Sequence, residues 1–352
     1  MKHANTTPRQ RVMSALHGEI PDKVPFTAYE NKIPQCAVER DLRNRGLCIV
    51  YRMSSYRIIR PNVNVKSFHY VDERGRKVIK TIYSTPCGDL TTLEKPSGFT
   101  SWTLEHMFKT PDDYKALLFM IKDSIVEPTY DDVIRKVKAL GEDFVIRDRL
   151  HGEPLQILIS RYMGTENFCI EWMDNRDEIL KLYDALVEIG RRVYPIVADG
   201  PLEFANLGGN VAPQIIGVEN FKKYYVPHYN EAAQIMHKKG KLIGCHFDAD
   251  NTTIMDAIGQ TELDYIEAYD PGMNPSVREA RKVWSDKVLW INWPSAWHLK
   301  PIELVRENTI QLIEEAMPGN GFIIGITETV PEDRWQSNFS AIMDAIENSK
   351  FR

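Results

Sequence analysis

An alternation constrains the fold of this chain more than any other feature. Short apolar runs with strand character recur between longer segments of helical periodicity, through most of the 352 residues. Repeated units of this kind build a parallel sheet, because a helix must carry the chain back before the next strand can run in the same direction. The strand-like runs are Val24–Ala28, Asp143–Arg147, Leu202–Asn206, Lys241–His246, Asp264–Ala268, Val288–Ile291 and Gly321–Thr327. Helical patterns cover Thr129–Leu140, Asp177–Ala198, Val218–Lys239, Asn251–Thr261, a segment from Ser276, and Pro301–Ala316. An opening helix is signalled by Thr7 as cap and Pro8 at the first position. Seven strands are named in this way, and an eighth is expected between the first and the second. That count predicts a closed (β/α)8 barrel. Residues 64–95 break the rule, with period-2 patterning about a charged, glycine-containing turn. They read as an inserted antiparallel hairpin. No repeat or linker composition divides the chain, so a single domain over residues 1–352 is expected.

Some function classes are disfavoured at this level. A formal charge of −5 argues against a phosphate-gripping nucleic-acid surface. No apolar run approaches the roughly 18 residues of a membrane span, and no apolar stretch follows the basic N-terminus as a secretory signal would require. The five cysteines (Cys36, Cys48, Cys87, Cys169, Cys245) are scattered and never form CxxC, the usage of reduced thiols in a cytoplasm.

Barrel chemistry sits at the carboxyl ends of the strands. Three strand ends there carry ligand-type groups: His246 and Asp248, then Glu267, then Glu328. His246 and Asp248 are two apart, so an extended backbone turns both to one face, and Cys245 to the other. Glu267 and Glu328 lie in apolar surroundings, where an unpaired carboxylate costs roughly several kcal/mol. One divalent cation would satisfy all four groups, and imidazole with carboxylates is an acceptable zinc set. The bland alternative is a set of hydrogen-bonded polar residues with no metal, and no HxxxH or HExxH element argues against it. Substrate-contacting candidates are Tyr29 after the first strand, His151 and Glu153 in Leu150-His151-Gly152-Glu153-Pro154, Asn206 and Asn210 around Gly208-Gly209, and Trp293, whose indole suits stacking on a ring.

The segment Pro8–Pro25, PRQRVMSALHGEIPDKVP, resembles the start of the uroporphyrinogen-decarboxylase superfamily. The stretch from Tyr224-Tyr225-Val226-Pro227-His228 through Lys238-Lys239-Gly240-Lys241 to His246 is similar to it as well. The likeness covers nearly the whole chain, weakest through the inserted segment, and it too implies the barrel. Decarboxylases of that superfamily carry an arginine-rich segment after the first strand. Here that place reads Tyr29-Glu30-Asn31-Lys32-Ile33-Pro34-Gln35-Cys36, with no arginine before Arg40. The corrinoid-linked methyltransferases bind zinc through His-x-Cys, a later Glu and a late Cys. Carried over by position, His246 matches the histidine, Asp248 the first cysteine, Glu267 the glutamate and Glu328 the late cysteine.

Two thiolates exchanged for two carboxylates make a harder site, suited to an oxygen-bearing substrate. The resemblance therefore implies a methyltransferase of an O-demethylase system, with zinc as Lewis acid, His246, Glu267 and Glu328 as its catalytic residues, and a methoxylated aromatic or similar methyl donor. The acceptor is a corrinoid supplied by a partner protein. Neither a nucleic-acid nor a membrane partner is expected, a homodimer is open, and so is whether Asp248 binds metal directly or supports His246. The rival expectation is a metal-free decarboxylase or lyase for a small carboxylated substrate, and the third a barrel that only binds.

Overall fold

The computed structural model describes residues 6–98 and 100–349. The chain divides into two compact units, one made of residues up to Ser55, Thr129–Leu150 and Pro195 onward, the other of Tyr56–Pro128 and His151–Tyr194.

The first unit holds a closed barrel of eight parallel strands. They are β1 (Phe26–Tyr29), β2 (Leu47–Arg52), β3 (Phe144–Arg149), β4 (Phe204–Leu207), β5 (Leu242–His246), β6 (Tyr265–Tyr269), β7 (Val288–Asn292) and β8 (Phe322–Ile326). Neighbours follow chain order, and β1 closes the ring by pairing with both β2 and β8. The strand missing from the sequence reading is β2, Leu-Cys-Ile-Val-Tyr-Arg, whose first four residues are buried. The opening helix Pro8–Leu16 forms as expected, with Thr7 in a reciprocal capping box with Gln10. The segment expected as one helix over Val218–Lys239 is broken instead. A helix over Pro213–Asn220, a π-helical turn at Phe221–Tyr225 and a helix over Val226–His237 follow one another, with Pro227 placed in the first turn of the last, where its missing N–H is harmless.

The barrel interior is filled, not hollow. Phe204, Tyr265 and Trp290 meet with ring centroids 6.1–6.4 Å apart. Their polar atoms are bonded: Tyr265 Oη donates to the Ala205 carbonyl at 2.7 Å and Trp290 Nε1 to Thr27 Oγ1 at 3.0 Å. An aromatic plug of this kind leaves the strand carboxyl ends as the place for polar side chains. A small cavity of about 80 Å³ lies at the opposite end, among Arg9, Met13, Val137 and Leu202.

The second unit contains the segment read as a hairpin. Asn64–Val71, Lys77–Thr85, Gly88–Ser97 and Thr100–Glu105 form a four-stranded antiparallel meander. Its first turn is Asp72–Arg76, where Gly75 takes φ +73° and Asp72 accepts from the Arg74 and Arg76 backbone N–H groups. Tyr56–Ile59 and Ile125–Pro128 pair separately. His151 and Glu153 belong to this unit. Glu153 is buried. Burial, then the charges of Arg161, Arg60 and Arg192, lower the His151 pKa to about 4.

Among the described residues no helix is long and apolar enough to cross a membrane.

Candidate active site

Register explains the centre of the site. His246 is the last residue of β5 and stands directly across from Glu267 of β6 in the parallel pairing, so the two side chains share the inward face. Glu267 is 0% exposed, and both its oxygens are engaged. Oε1 accepts from Tyr29 Oη at 2.8 Å and from Arg147 Nη1. Oε2 accepts from Asn206 Nδ2 at 2.9 Å and lies 3.1 Å from His246 Nδ1. Tyr29 Oη also accepts from Arg147 Nη1 at 3.2 Å. Strands β1, β3, β4 and β5 thus each send one polar group to a single carboxylate on β6. Such complete satisfaction is what a buried charge requires.

The electrostatics follow. Burial pushes the Glu267 carboxyl up, but the Arg147 charge and the His246 contact outweigh it and hold the pKa at about 2. Burial lowers the Arg147 pKa, and Glu267 together with Tyr29 and Tyr265 more than restores it, so the guanidinium stays charged. Burial raises Tyr29. Burial also opposes charge on His246, yet its contacts with Asp248 and Glu267 carry the pKa up to about 9.

The Nδ1–Glu267 contact has a structural consequence. With Nδ1–H donated to Glu267, Nε2 is the ring nitrogen left to act, and it sits 3.5 Å from Asp248 Oδ2. Asn210 Nδ2 donates to the same oxygen at 3.0 Å. Beyond them stands Glu328, in the loop after β8. That loop is anchored by Thr327, whose N–H and Oγ1 both donate to Asn292 Oδ1 at 3.0 and 2.9 Å. One ligand atom from each of His246, Asp248 and Glu328 lies within 4.8 Å of the others. One imidazole nitrogen and two carboxylates at that spacing fit a zinc ion, with the imidazole oriented by a third carboxylate behind it. Glu267, expected as a fourth ligand, does not belong to that cluster: its oxygens already serve four donors.

The cluster opens onto a cavity of about 490 Å³. Its polar lining is Asn210, Asp248, Asp270, Asn292, Ser295 and Glu328, and Ala268, Met273 and Pro294 give it an apolar wall. Two of these residues carry strained backbone. Asn210 (φ 55°) and Ala268 (φ 61°) are the non-glycine residues with positive φ among the described ones, and strain of this kind concentrates at functional sites. Ala268 follows Glu267 at a register slip between β6 and β7, the geometry by which a bulge re-aims side chains. Gly209 brings the loop after β4 against β5: a Cβ there would stand 1.9 Å from the His246 carbonyl oxygen.

Of the residues singled out by sequence, Asp248, Glu328 and Asn210 line the cavity, His246 stands beside Asp248 and Glu328, and Tyr29, Asn206 and Glu267 brace His246 from behind. Trp293 does not join them. It is fully buried, donates from Nε1 to Thr309 Oγ1 at 3.0 Å and packs on His298 and Trp297. Cys245 faces away, against Tyr229. Sequence reasoning missed Arg147 and Asp270. The signal for Arg147 was available: a charge inside the apolar run Phe-Val-Ile-Arg is the same anomaly that marked Glu267.

A closed barrel with converging polar groups at its carboxyl ends defines an enzyme-type (β/α)8 architecture. Among solved structures, the chain is similar to a methyltransferase from Methanosarcina mazei, at 12% identity over 97% of this chain and 99% of that one, with a TM-score of 0.59. At that identity the likeness speaks for the fold alone, a closed barrel of eight parallel strands. A B12-independent methionine synthase from Shewanella sp. W3-18-1 aligns more loosely, at 9% identity over 88% of this chain and 84% of that one, with a TM-score of 0.42. No protein-family model matches the sequence, and neither does any curated relative.

Proposed function

We propose that this protein is a methyltransferase that holds a small methyl donor in the 490 Å³ cavity, uses a zinc ion on His246, Asp248 and Glu328, and delivers the methyl group to a separate corrinoid protein. The observation that carries this reading is the triad of ligand atoms within 4.8 Å at the cavity, backed by the fixed His246–Glu267 pair. The fold shared with a protein described as a methyltransferase supports it. Three protein ligands leave a coordination position open.

When bound, zinc would supply a Lewis acid for the leaving heteroatom of the donor, and the partner's corrinoid the nucleophile. The chain's own residues do the positioning. Glu267 keeps the His246 ring in the tautomer whose Nε2 faces Asp248, and Arg147, Tyr29 and Asn206 keep Glu267 ionised and still. Asn210 aims Asp248. An oxygen-rich ligand set suits an oxygen-bearing donor, which makes a methoxylated aromatic the donor class to test first. The rival, a metal-free lyase for carboxylated substrates, calls for a cation facing the cavity. No lysine or arginine lines it among the described residues, and Arg147 is paired with Glu267.

The test is metal analysis of the purified protein beside a His246→Ala/Glu328→Ala variant, followed by methyl transfer from methoxyarenes to a cobalt(I) corrinoid protein. Near-stoichiometric zinc that disappears in the variant, with methyl transfer by the unaltered protein, is the expected result. Folded, never-chelated protein without metal, or no transfer from any methoxyarene, would overturn the proposal.

A further inference from the structure

We infer that the cavity selects methyl donors that carry a hydrogen-bond-donating group, hydroxyl or ammonium, and rejects carboxylated ones, with Asp270 as the residue that reads that group. The inference rests on the proposed function only in taking the ligand to be a methyl donor. Asp270 lines the cavity and is 6% exposed, yet it is short of partners. Its Oδ1 accepts from the Gly272 N–H at 2.7 Å. Its Oδ2 has the Ser295 N–H at 3.4 Å and Asn292 Nδ2 at 3.5 Å, both at the outer limit of a hydrogen bond. Asn292 is not free to come closer: its amide nitrogen also serves Ser295 Oγ at 3.2 Å, and its oxygen is held by Thr327.

No lysine or arginine lines the cavity among the described residues, so a ligand carboxylate placed against Asp270 would meet no basic side chain there. Like charges in a partly desolvated space repel strongly. A ligand O–H or N–H instead gives Oδ2 the donor it lacks. Burial raises the Asp270 pKa, as expected of a carboxylate with too few donors. A zinc ion on His246, Asp248 and Glu328 would neutralise the other two cavity carboxylates, and with its open position taken by the methoxy oxygen of the donor it would leave Asp270 as the group that reads the remaining substituent. Met273, Ala268 and Pro294 leave a wall against which an aromatic ring can lie.

The test is calorimetric titration of the unaltered protein with meta-methoxybenzylamine, meta-methoxybenzyl alcohol and meta-methoxybenzoate, which share ring and methoxy group and differ in one substituent's charge. The amine and alcohol are expected to bind at least about tenfold more tightly than the carboxylate, and in Asp270→Asn the amine-to-carboxylate ratio should fall to within about threefold. The series on the unaltered protein stands alone if the variant fails to fold. Carboxylate binding as tight as the alcohol, no binding by any of the three, or an unchanged ratio in folded Asp270→Asn overturns the inference. Binding in the expected order with no methyl transfer to corrinoid would sink the proposed function and leave the selectivity intact. Equal methyl transfer from the benzoate would do the reverse.

Discussion

Replacing Arg147 by Met tests the charge network at its centre. Arg147 and Glu267 form a buried ion pair, with side chains 8% and 0% exposed. Met keeps most of the volume and removes the charge, so Glu267 is left facing Tyr29, Asn206 and His246 alone. The pair's size can be judged from Glu267. A carboxyl held at about 2 instead of its ordinary 4.5 contributes on the order of 3 kcal/mol at neutral pH. Because its folded pKa is depressed, that stability is present above pH 4.5 and is lost as pH falls through about 2. Removing one partner of a buried pair typically costs about 3–5 kcal/mol, since the other charge stays behind uncompensated. Arg147→Met is therefore expected to lower unfolding free energy at pH 7 by that amount, read from urea denaturation followed by tryptophan fluorescence. Adding Glu267→Gln removes the stranded charge, and the double variant should recover about half the loss or more. A loss below about 1 kcal/mol in the single variant would refute the reasoning. So would a double variant no more stable than the single one, because the cost would then be ordinary cavity formation.

The remaining predictions concern the rest of the site. His246 is held at about 9 by its two carboxylates, so zinc must displace a proton, and about one proton per zinc is expected to be released near pH 7.5. Calorimetry in buffers of different ionisation enthalpy reads this directly, with metal affinity rising as pH approaches 9; buffer-independent heats would count against His246 as a ligand. The same raised pKa stabilises the metal-free fold below the ordinary value of 6.5, and that contribution is lost as pH rises through about 9. Gly209→Ala places a Cβ 1.9 Å from the His246 carbonyl oxygen at φ +74° and should cost about 2 kcal/mol or more along with zinc affinity. Gly240→Ala, at φ +67° with nothing within 4 Å, should show the smaller strain alone, and equal losses in the two would remove the close-approach argument. Trp293→Phe should cost about 1 kcal/mol through the lost Thr309 bond, while affinity for meta-methoxybenzyl alcohol stays unchanged. A drop in that affinity would put Trp293 back in the ligand site.

Much of this protein is readable along the chain because the relevant physics is local. Alternating periodicities announce a parallel barrel, since period 2 and period 3.6 are properties of short segments. The two-residue spacing puts His246 and Asp248 on one face and Cys245 on the other for the same reason. The strand β2 escaped because its four-residue buried run sits between a short helix and the inserted segment, with no long neighbour to frame it. A carboxylate at Glu267 signals that some partner must exist, but burial alone does not name one. The partner is Arg147, 120 residues away on β3, and that pairing exists only once the barrel has closed and set its register. Asp270 and Trp293 make the same point from opposite sides: each follows a strand, yet one turns into the cavity and the other into the helical layer. Chain pattern determines which residues face inward along each strand. Which inward groups then meet across the barrel, and whether a buried charge finds a metal or an arginine, is decided by closure, because those distances belong to no single segment.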